Sequence, residues 1–137
     1  MRKDLDRLIA LIAKLRSPKG CPWDRKQTHV SLIPYLKGEV RELVQALRRG
    51  VPHEIEDELG DLMLQILLHS QIAKERGQFD IHDMARSQFL KLKRRHPHVF
   101  GRKKLKTARQ VRARWQHVKK RERDLRDRDV RRRFRAR

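Results

Sequence analysis

Four acidic side chains stand in two matched pairs, Glu39 with Glu42 and Glu58 with Asp61. Each pair is spaced i, i+3, which on a helix puts both carboxylates on one face with Cβ atoms about 5–6 Å apart. Between the pairs, Arg48-Arg49-Gly50-Val51-Pro52 can end one helix at Gly50 and open the next at Pro52. So short a connection predicts an antiparallel helix hairpin in which the two pairs face each other. Four carboxylates turned toward one point repel unless a cation sits among them, and hard oxygen ligands suit Mg²⁺, with Mn²⁺ as a substitute. Spacing alone does not decide the matter, because most acidic pairs on helices are solvated surface. The apolar neighbours add weight. Leu43, Val44 and Leu47 interleave with the first pair, and Leu59, Leu62, Met63, Ile66 and Leu67 with the second. From Leu59 to Leu68 the helix is apolar nearly all round and reads as buried, and carboxylates at the mouth of a buried helix need a partner.

The elements that must hold these residues are helical throughout. Leu5, Leu8, Ile9, Ile12 and Leu15 recur at helical spacing, so a first helix covers Lys3 to Arg16 and stops at Ser17-Pro18-Lys19-Gly20. Cys21 to Gln27 reads as a loop, and Thr28 as the cap of a turn. The second helix carries Pro34 near its start and runs to about Arg49; the third runs from Pro52 to about Arg76, with Gly77 as its stop. Asp80 is a good N-cap for a fourth helix from Ile81 to about Arg95. His96 to Gly101 reads as a loop. Thr107 and Gln110 form a capping box for a fifth helix through Trp115 and Val118. From Arg121 onward the Arg/Asp-rich sequence either extends that helix or stays disordered when free. No stretch alternates with the period of a strand. The expectation is an all-α helical bundle around a central antiparallel hairpin. That hairpin has more apolar surface than its flanking helices can cover, so dimerisation is expected to complete the bundle. Positions 1–121 read as a single domain and 122–137 as a basic, Arg-rich tail.

Composition bounds the function. The chain has 137 residues, 37% hydrophobic and 39% charged, with a formal net charge of +20. The charge is uneven: 19 Lys and Arg against 13 Asp and Glu through position 101, +6, and 18 against 4 beyond it, +14. Such a tail suits polyanions, so non-specific nucleic-acid binding is a reading to carry forward. Only Phe134 is aromatic at its far end, which gives base stacking little support. One cysteine, Cys21, allows no intrachain disulfide and fits a reducing, cytoplasmic compartment. The first residues lead into an amphipathic segment rather than an apolar signal core, and no apolar run approaches the length of a membrane span.

Several stretches read together carry a resemblance. Gly20-Cys21-Pro22-Trp23-Asp24 with Gln27-Thr28-His29 is similar to the entry loop of MazG-type nucleoside triphosphate pyrophosphohydrolases. Pro34-Tyr35-Leu36, Glu39, Glu42, Glu54 and Glu58-Leu59-Gly60-Asp61-Leu62 resemble that family's EExxE…ExxD metal motif. His69-Ser70-Gln71-Ile72-Ala73, Gly77-Gln78-Phe79-Asp80, the run from Lys91 to Gly101, and Arg114-Trp115 continue it. Each piece is weakly specific; their order and spacing over Leu15 to Glu122 are highly specific.

The resemblance implies an all-α, Mg²⁺-dependent enzyme, dimeric or a dimer of dimers, that hydrolyses a nucleoside triphosphate to the monophosphate and pyrophosphate. It implies Glu39, Glu42, Glu58 and Asp61 as metal ligands and catalytic residues. It places Lys91, Arg94 and Arg95, which share a face of the fourth helix, on the triphosphate, where Arg binds phosphate oxygens as a fork. Without it, those three are a solvated basic face. Trp115 either stacks on the base or packs on the bundle, with Lys119 at i+4 approaching a phosphate; Tyr35, one turn before Glu39, faces the substrate or the core. His69, His96 and His98 lack acidic partners at ligand spacing, and His69 reads as a core histidine. One departure stands out: Gly38 replaces the first Glu of the motif. That motivates a rival reading, a catalytically weak nucleotide-binding regulatory module, beside the nucleic-acid reading of the tail.

Overall fold

The computed structural model describes residues 3–135, with side chains as far as position 128. Every regular element among them is a helix: α1 Asp4–Leu15, α2 Pro22–Lys26, α3 Ile33–Arg49, α4 Pro52–Glu75, α5 Ile81–Arg95, α6 Pro97–Phe100 and α7 Ala108–Arg135. The chain divides into two compact units that part between Met84 and Ala85. No helix among the described residues is long and apolar enough to cross a membrane.

The helix ends follow from local chemistry. Gly50 takes the left-handed conformation, φ 71°, and its N–H donates to the Ala46 carbonyl, closing α3. Pro52, whose missing N–H costs nothing in a first turn, opens α4. Asp80 caps α5: its Oδ1 accepts the N–H groups of His82 at 2.8 Å and Asp83 at 3.1 Å, while Asp83 Oδ2 accepts the Asp80 N–H. The same reciprocity opens α7, where Thr107 Oγ1 accepts from the Gln110 N–H and Gln110 Oε1 from the Thr107 N–H.

Two expectations change. The stretch from Cys21 to Gln27 holds a short helix, α2, and that from His96 to Gly101 holds α6. Each starts on a proline at its first helical position and is too short to express a helical period. Helix α7 runs unbroken to Arg135, so beyond Arg121 the sequence extends the helix.

The core of the first unit is Ile12 of α1, Leu32 just before α3, and Leu67, Leu68 and Ile72 of α4, with Leu8, Ile9, Leu15, Leu64 and Ile81 packed on it. Leu32 and Ile72 are wholly buried; truncating Ile72 to Ala costs about 2–5 kcal/mol. Leu43 and Ala46 bury the inner face of α3, where it packs along α4. The N-terminal half of α4 departs from its expected burial. Leu59, Met63 and Ile66 are 49%, 42% and 41% exposed. They occupy an arc at i, i+4, i+7 that no element of the unit covers. In the second unit no described residue is buried, and side-chain ion pairs join α5 to α7.

Candidate active site

Helices α3 and α4 bring three carboxylates to one point. Glu39, Glu58 and Asp61 each offer an oxygen, and these oxygens lie within 4.8 Å of one another. Glu39 and Glu58 are half-buried and Asp61 is exposed. Glu42, also exposed, lies beside them, outside the tight set of three. Burial raises the Glu39 carboxyl above its ordinary 4.5, and the charges of Asp61, Glu42 and Glu58 push the same way. Glu58 is raised by burial first, then by Glu42, Asp61 and Asp57, against the opposing pull of Arg49. Arg49 is itself tied to Glu54, Nε to Oε2 at 2.5 Å. Glu58 Oε2 is buried without a hydrogen-bond partner. A buried, unpaired carboxylate oxygen among like charges is expensive, and a divalent cation with hard-oxygen preference resolves both costs. The donor set, all carboxylate oxygens, therefore fits a hard divalent cation. Glu58 and Asp61 also line an open groove of about 700 Å³ together with His53, Glu54 and Asp57.

Gly38 precedes Glu39 on α3. A Cβ built there meets nothing within 4 Å, so packing does not demand glycine at this place in the motif. Tyr35, one turn before Glu39, is 47% exposed, as is Trp23 of α2. Their rings meet edge to face, centroids 5.4 Å apart at 87°.

His69 is half-buried, as expected of a core histidine, but its partner is a second imidazole. His29 Nδ1 and His69 Nδ1 are 2.8 Å apart. Their planes differ by 4° and their centroids by 5.1 Å. That separation is taken up by two ring radii and one hydrogen bond, so the rings lie edge to edge with a single proton between them. His69 Nε2 is buried without a partner, and burial, then His29, lowers the His69 pKa.

The cationic residues gather in the second unit. Arg94 donates from Nε, at 2.9 Å, and from Nη2 to Glu122 Oε1; Arg95 Nη2 donates to Glu122 Oε2 at 2.6 Å. The Arg95 guanidinium lies 6.0 Å from the Trp115 ring centroid, and Lys119 Nζ lies 5.8 Å from it. His96 flanks the same ring at 6.1 Å. Trp115 is 38% exposed, so it is neither core nor free surface. Arg95 Nε and Arg114 Nε are buried donors without acceptors. Lys91, half-buried, lies one turn before Arg94 and Arg95 on α5 and has no ion pair among the described residues. Arg94, Arg95, Trp115 and Lys119 thus form one cluster, and Glu122 is the member that sequence reasoning missed. Its signal was present: Trp115, Lys119 and Glu122 fall at i, i+4, i+7 on one face of α7.

Comparison with known proteins gives one family. The model of the MazG nucleotide pyrophosphohydrolase domain matches residues 27–100. A relative from Thermotoga maritima named nucleoside triphosphate pyrophosphohydrolase/pyrophosphatase MazG is 53% identical over 96 residues, covering 70% of this chain and 38% of its own length. The nucleoside triphosphate pyrophosphohydrolase of Escherichia coli K12 is 40% identical over 120 residues, 87% of this chain and 46% of its own. The chain therefore spans less than half of these two relatives. A crystal structure of a mazG-related protein from Thermotoga maritima superposes with a TM-score of 0.68 at 27% identity, over 84% of this chain and 98% of the other.

Proposed function

This chain belongs to the MazG nucleotide pyrophosphohydrolase domain family, and from that premise we propose that it hydrolyses nucleoside triphosphates to monophosphate and pyrophosphate. The observation that carries the proposal is the convergence of Glu39, Glu58 and Asp61, with the buried, unpartnered Glu58 Oε2 among them. These three, with Glu42 beside them, would hold Mg²⁺ or Mn²⁺. When bound, such an ion lowers the pKa of water and neutralises phosphate oxygens. Water is the nucleophile, since no Ser/His/Asp or Cys/His arrangement for covalent catalysis occurs among the described residues. Its oxygen joins the nucleotide product, the bond between the α and β phosphates breaks, and pyrophosphate leaves with the bond's electrons. Lys91, Arg94 and Arg95 neutralise the charge that builds on that leaving group, the largest electrostatic demand of the reaction. Of the remaining substrate residues, Tyr35 belongs to the first unit, while Trp115 offers its ring to a base and Lys119 its charge to a phosphate within the second.

The assembly proposed is a homodimer, or a dimer of dimers. Helix α3 exposes Val40, Val44 and Leu47, and α4 exposes Leu59, Met63 and Ile66. Both sets are spaced i, i+4, i+7, so each helix presents an apolar stripe that a second copy would cover. The lone Cys21 fits a reducing cytoplasmic setting.

The decisive experiment incubates the purified protein with a panel of ribo- and deoxyribonucleoside triphosphates, with and without Mg²⁺, and scores pyrophosphate and orthophosphate separately. Metal-dependent pyrophosphate is the expected product. Primary orthophosphate, with contaminating pyrophosphatase excluded, would contradict the proposal. Nucleotide binding without turnover on any substrate would favour a regulatory module.

A further inference from the structure

We propose that Glu122 is a positioning residue for triphosphate recognition: it fixes the forks of Arg94 and Arg95 so that their remaining donors form one phosphate-binding edge. This inference rests on the proposed function, in which those two arginines meet the substrate's phosphates.

The geometry supports it in three steps. First, Glu122 binds both arginines at once. Oε1 takes Nε and Nη2 of Arg94, and Oε2 takes Nη2 of Arg95. Neighbouring guanidiniums repel, and a carboxylate between them is what lets two consecutive arginines point the same way. Second, the pairing leaves donors over. A guanidinium has five N–H groups, and Glu122 engages three nitrogens of the six that the two arginines carry. The Nη1 groups of both, and the buried Nε of Arg95, donate nothing to Glu122. Third, the arrangement has few other supports. No described residue of this unit is buried, so no apolar core fixes α5 against α7. Arg95 is held between Glu122 and the Trp115 ring. With only 13% of its side chain exposed, it has little freedom to choose another partner. Glu122 is itself only 18% exposed, which protects these bonds from the competition with water that weakens surface pairs.

A carboxylate near a triphosphate also repels it. Positioning outweighs that repulsion here because the two arginines together more than neutralise the single acid, leaving the trio with net charge +1. An unanchored pair of arginines has the higher charge but pays to order two long side chains on binding.

The test measures binding of α,β-methylene-ATP, whose α–β link resists cleavage, and of AMP, by calorimetry on the full chain. The variants are Glu122→Gln, Glu122→Asp, Arg94→Gln and Arg95→Gln. Glu122→Gln should weaken the triphosphate analogue about tenfold, the scale of one charge-assisted hydrogen bond lost, and leave AMP within twofold. Glu122→Asp should fall between Gln and wild type. Helix content by circular dichroism, together with unchanged AMP binding, separates positioning from loss of fold. If Arg94→Gln and Arg95→Gln weaken the triphosphate analogue while Glu122→Gln binds it as well as or better than wild type, Glu122 competes with substrate and the inference is overturned. If neither arginine variant weakens it, the phosphate role of the arginines fails, and this inference with it.

Discussion

Arg16 and Glu75, fifty-nine positions apart, meet as fork and carboxylate: Nε to Oε1 at 3.0 Å and Nη2 to Oε2 at 2.8 Å. Arg16 Nη1 also donates to the carbonyls of Asp24, at 2.6 Å, and Gln27. One side chain, 6% exposed, thus ties the end of α1 and the α2 segment to the end of α4. The α2 segment carries Trp23 and leads through His29 into α3, so this contact lies upstream of the carboxylate geometry.

Replacing Arg16 by Ala strands the Asp24 and Gln27 carbonyls and the Glu75 charge. We expect a loss of about 3 kcal/mol, at the lower end for a broken buried pair because Glu75 is partly exposed. Arg16→Lys should recover little, since a point charge cannot serve four acceptors in a plane. Urea unfolding monitors this as a lower midpoint with an unchanged slope. A midpoint shift under half a molar for Arg16→Ala, roughly 1 kcal/mol at ordinary slopes, would contradict the role given to it.

The carboxylate cluster should destabilise the metal-free protein. Glu39 and Glu58 have raised pKa values in the folded state. Their folded-state protons are held where the unfolded chain has released them. Their contribution is therefore most favourable at low pH and is lost as pH rises through the raised values. Glu58→Gln should raise metal-free stability at pH 7 and flatten this part of the profile. Asp61→Asn and Glu42→Gln should also fold, yet abolish turnover at saturating Mg²⁺. In wild type, Mg²⁺ should restore stability, by about 2.7 kcal/mol at a hundredfold excess over Kd. Wild-type activity in either Asp61→Asn or Glu42→Gln would remove that residue from the site.

The His29–His69 pair should respond to acid in the opposite sense. The folded state holds the His69 pKa below 6.5. Below pH 6.5 the unfolded chain takes up a proton that the folded state refuses, so stability is complete above that pH and declines as pH falls. A second proton would set two N–H groups against each other across 2.8 Å. His69→Phe keeps a ring of similar width and removes the titration. Its stability should be flatter between pH 5 and 7 than wild type; an unchanged slope there would place the titration elsewhere.

How much of this was legible in the sequence depends on the physical origin of each feature. Helix ends governed by a local rule were readable: Gly50 and Gly77 with positive φ, Pro52 at a first turn, Asp80 and the Thr107–Gln110 box as caps. The convergence of Glu39, Glu58 and Asp61 was readable because two short-range spacings and a two-residue connection constrain it. Helices α2 and α6 were not, since five and four residues show no period. The exposure of Leu59, Met63 and Ile66 was hidden, because periodicity reports an apolar arc without saying what covers it. Arg16–Glu75, His29–His69 and Arg94–Glu122 were hidden for another reason. Each joins residues 28 to 59 positions apart, and no local rule reaches that far.

The last expectation concerns the far end of α7. The helix extends to Arg135, yet within it beyond Glu122 only Leu125, Val130 and Phe134 are apolar, too sparse for a packing stripe. The Arg/Asp alternation allows helical ion pairs worth roughly 0.3–0.5 kcal/mol each when exposed, too little to anchor the segment. Its charge is better suited to an external polyanion. Ending the chain at Arg128 preserves Glu122 with more than a turn beyond it and removes Arg131, Arg132, Arg133, Arg135 and Arg137. Hydrolysis should persist. Affinity for duplex DNA should fall, and the slope of its logarithm against the logarithm of salt should become shallower by about 3–5, one counterion per lost phosphate contact. If hydrolysis collapses in a truncated protein that keeps its helix content, this segment belongs to the active site. If DNA affinity and its salt slope are unchanged, the segment does not bind polyanions, and the charge asymmetry needs another cause.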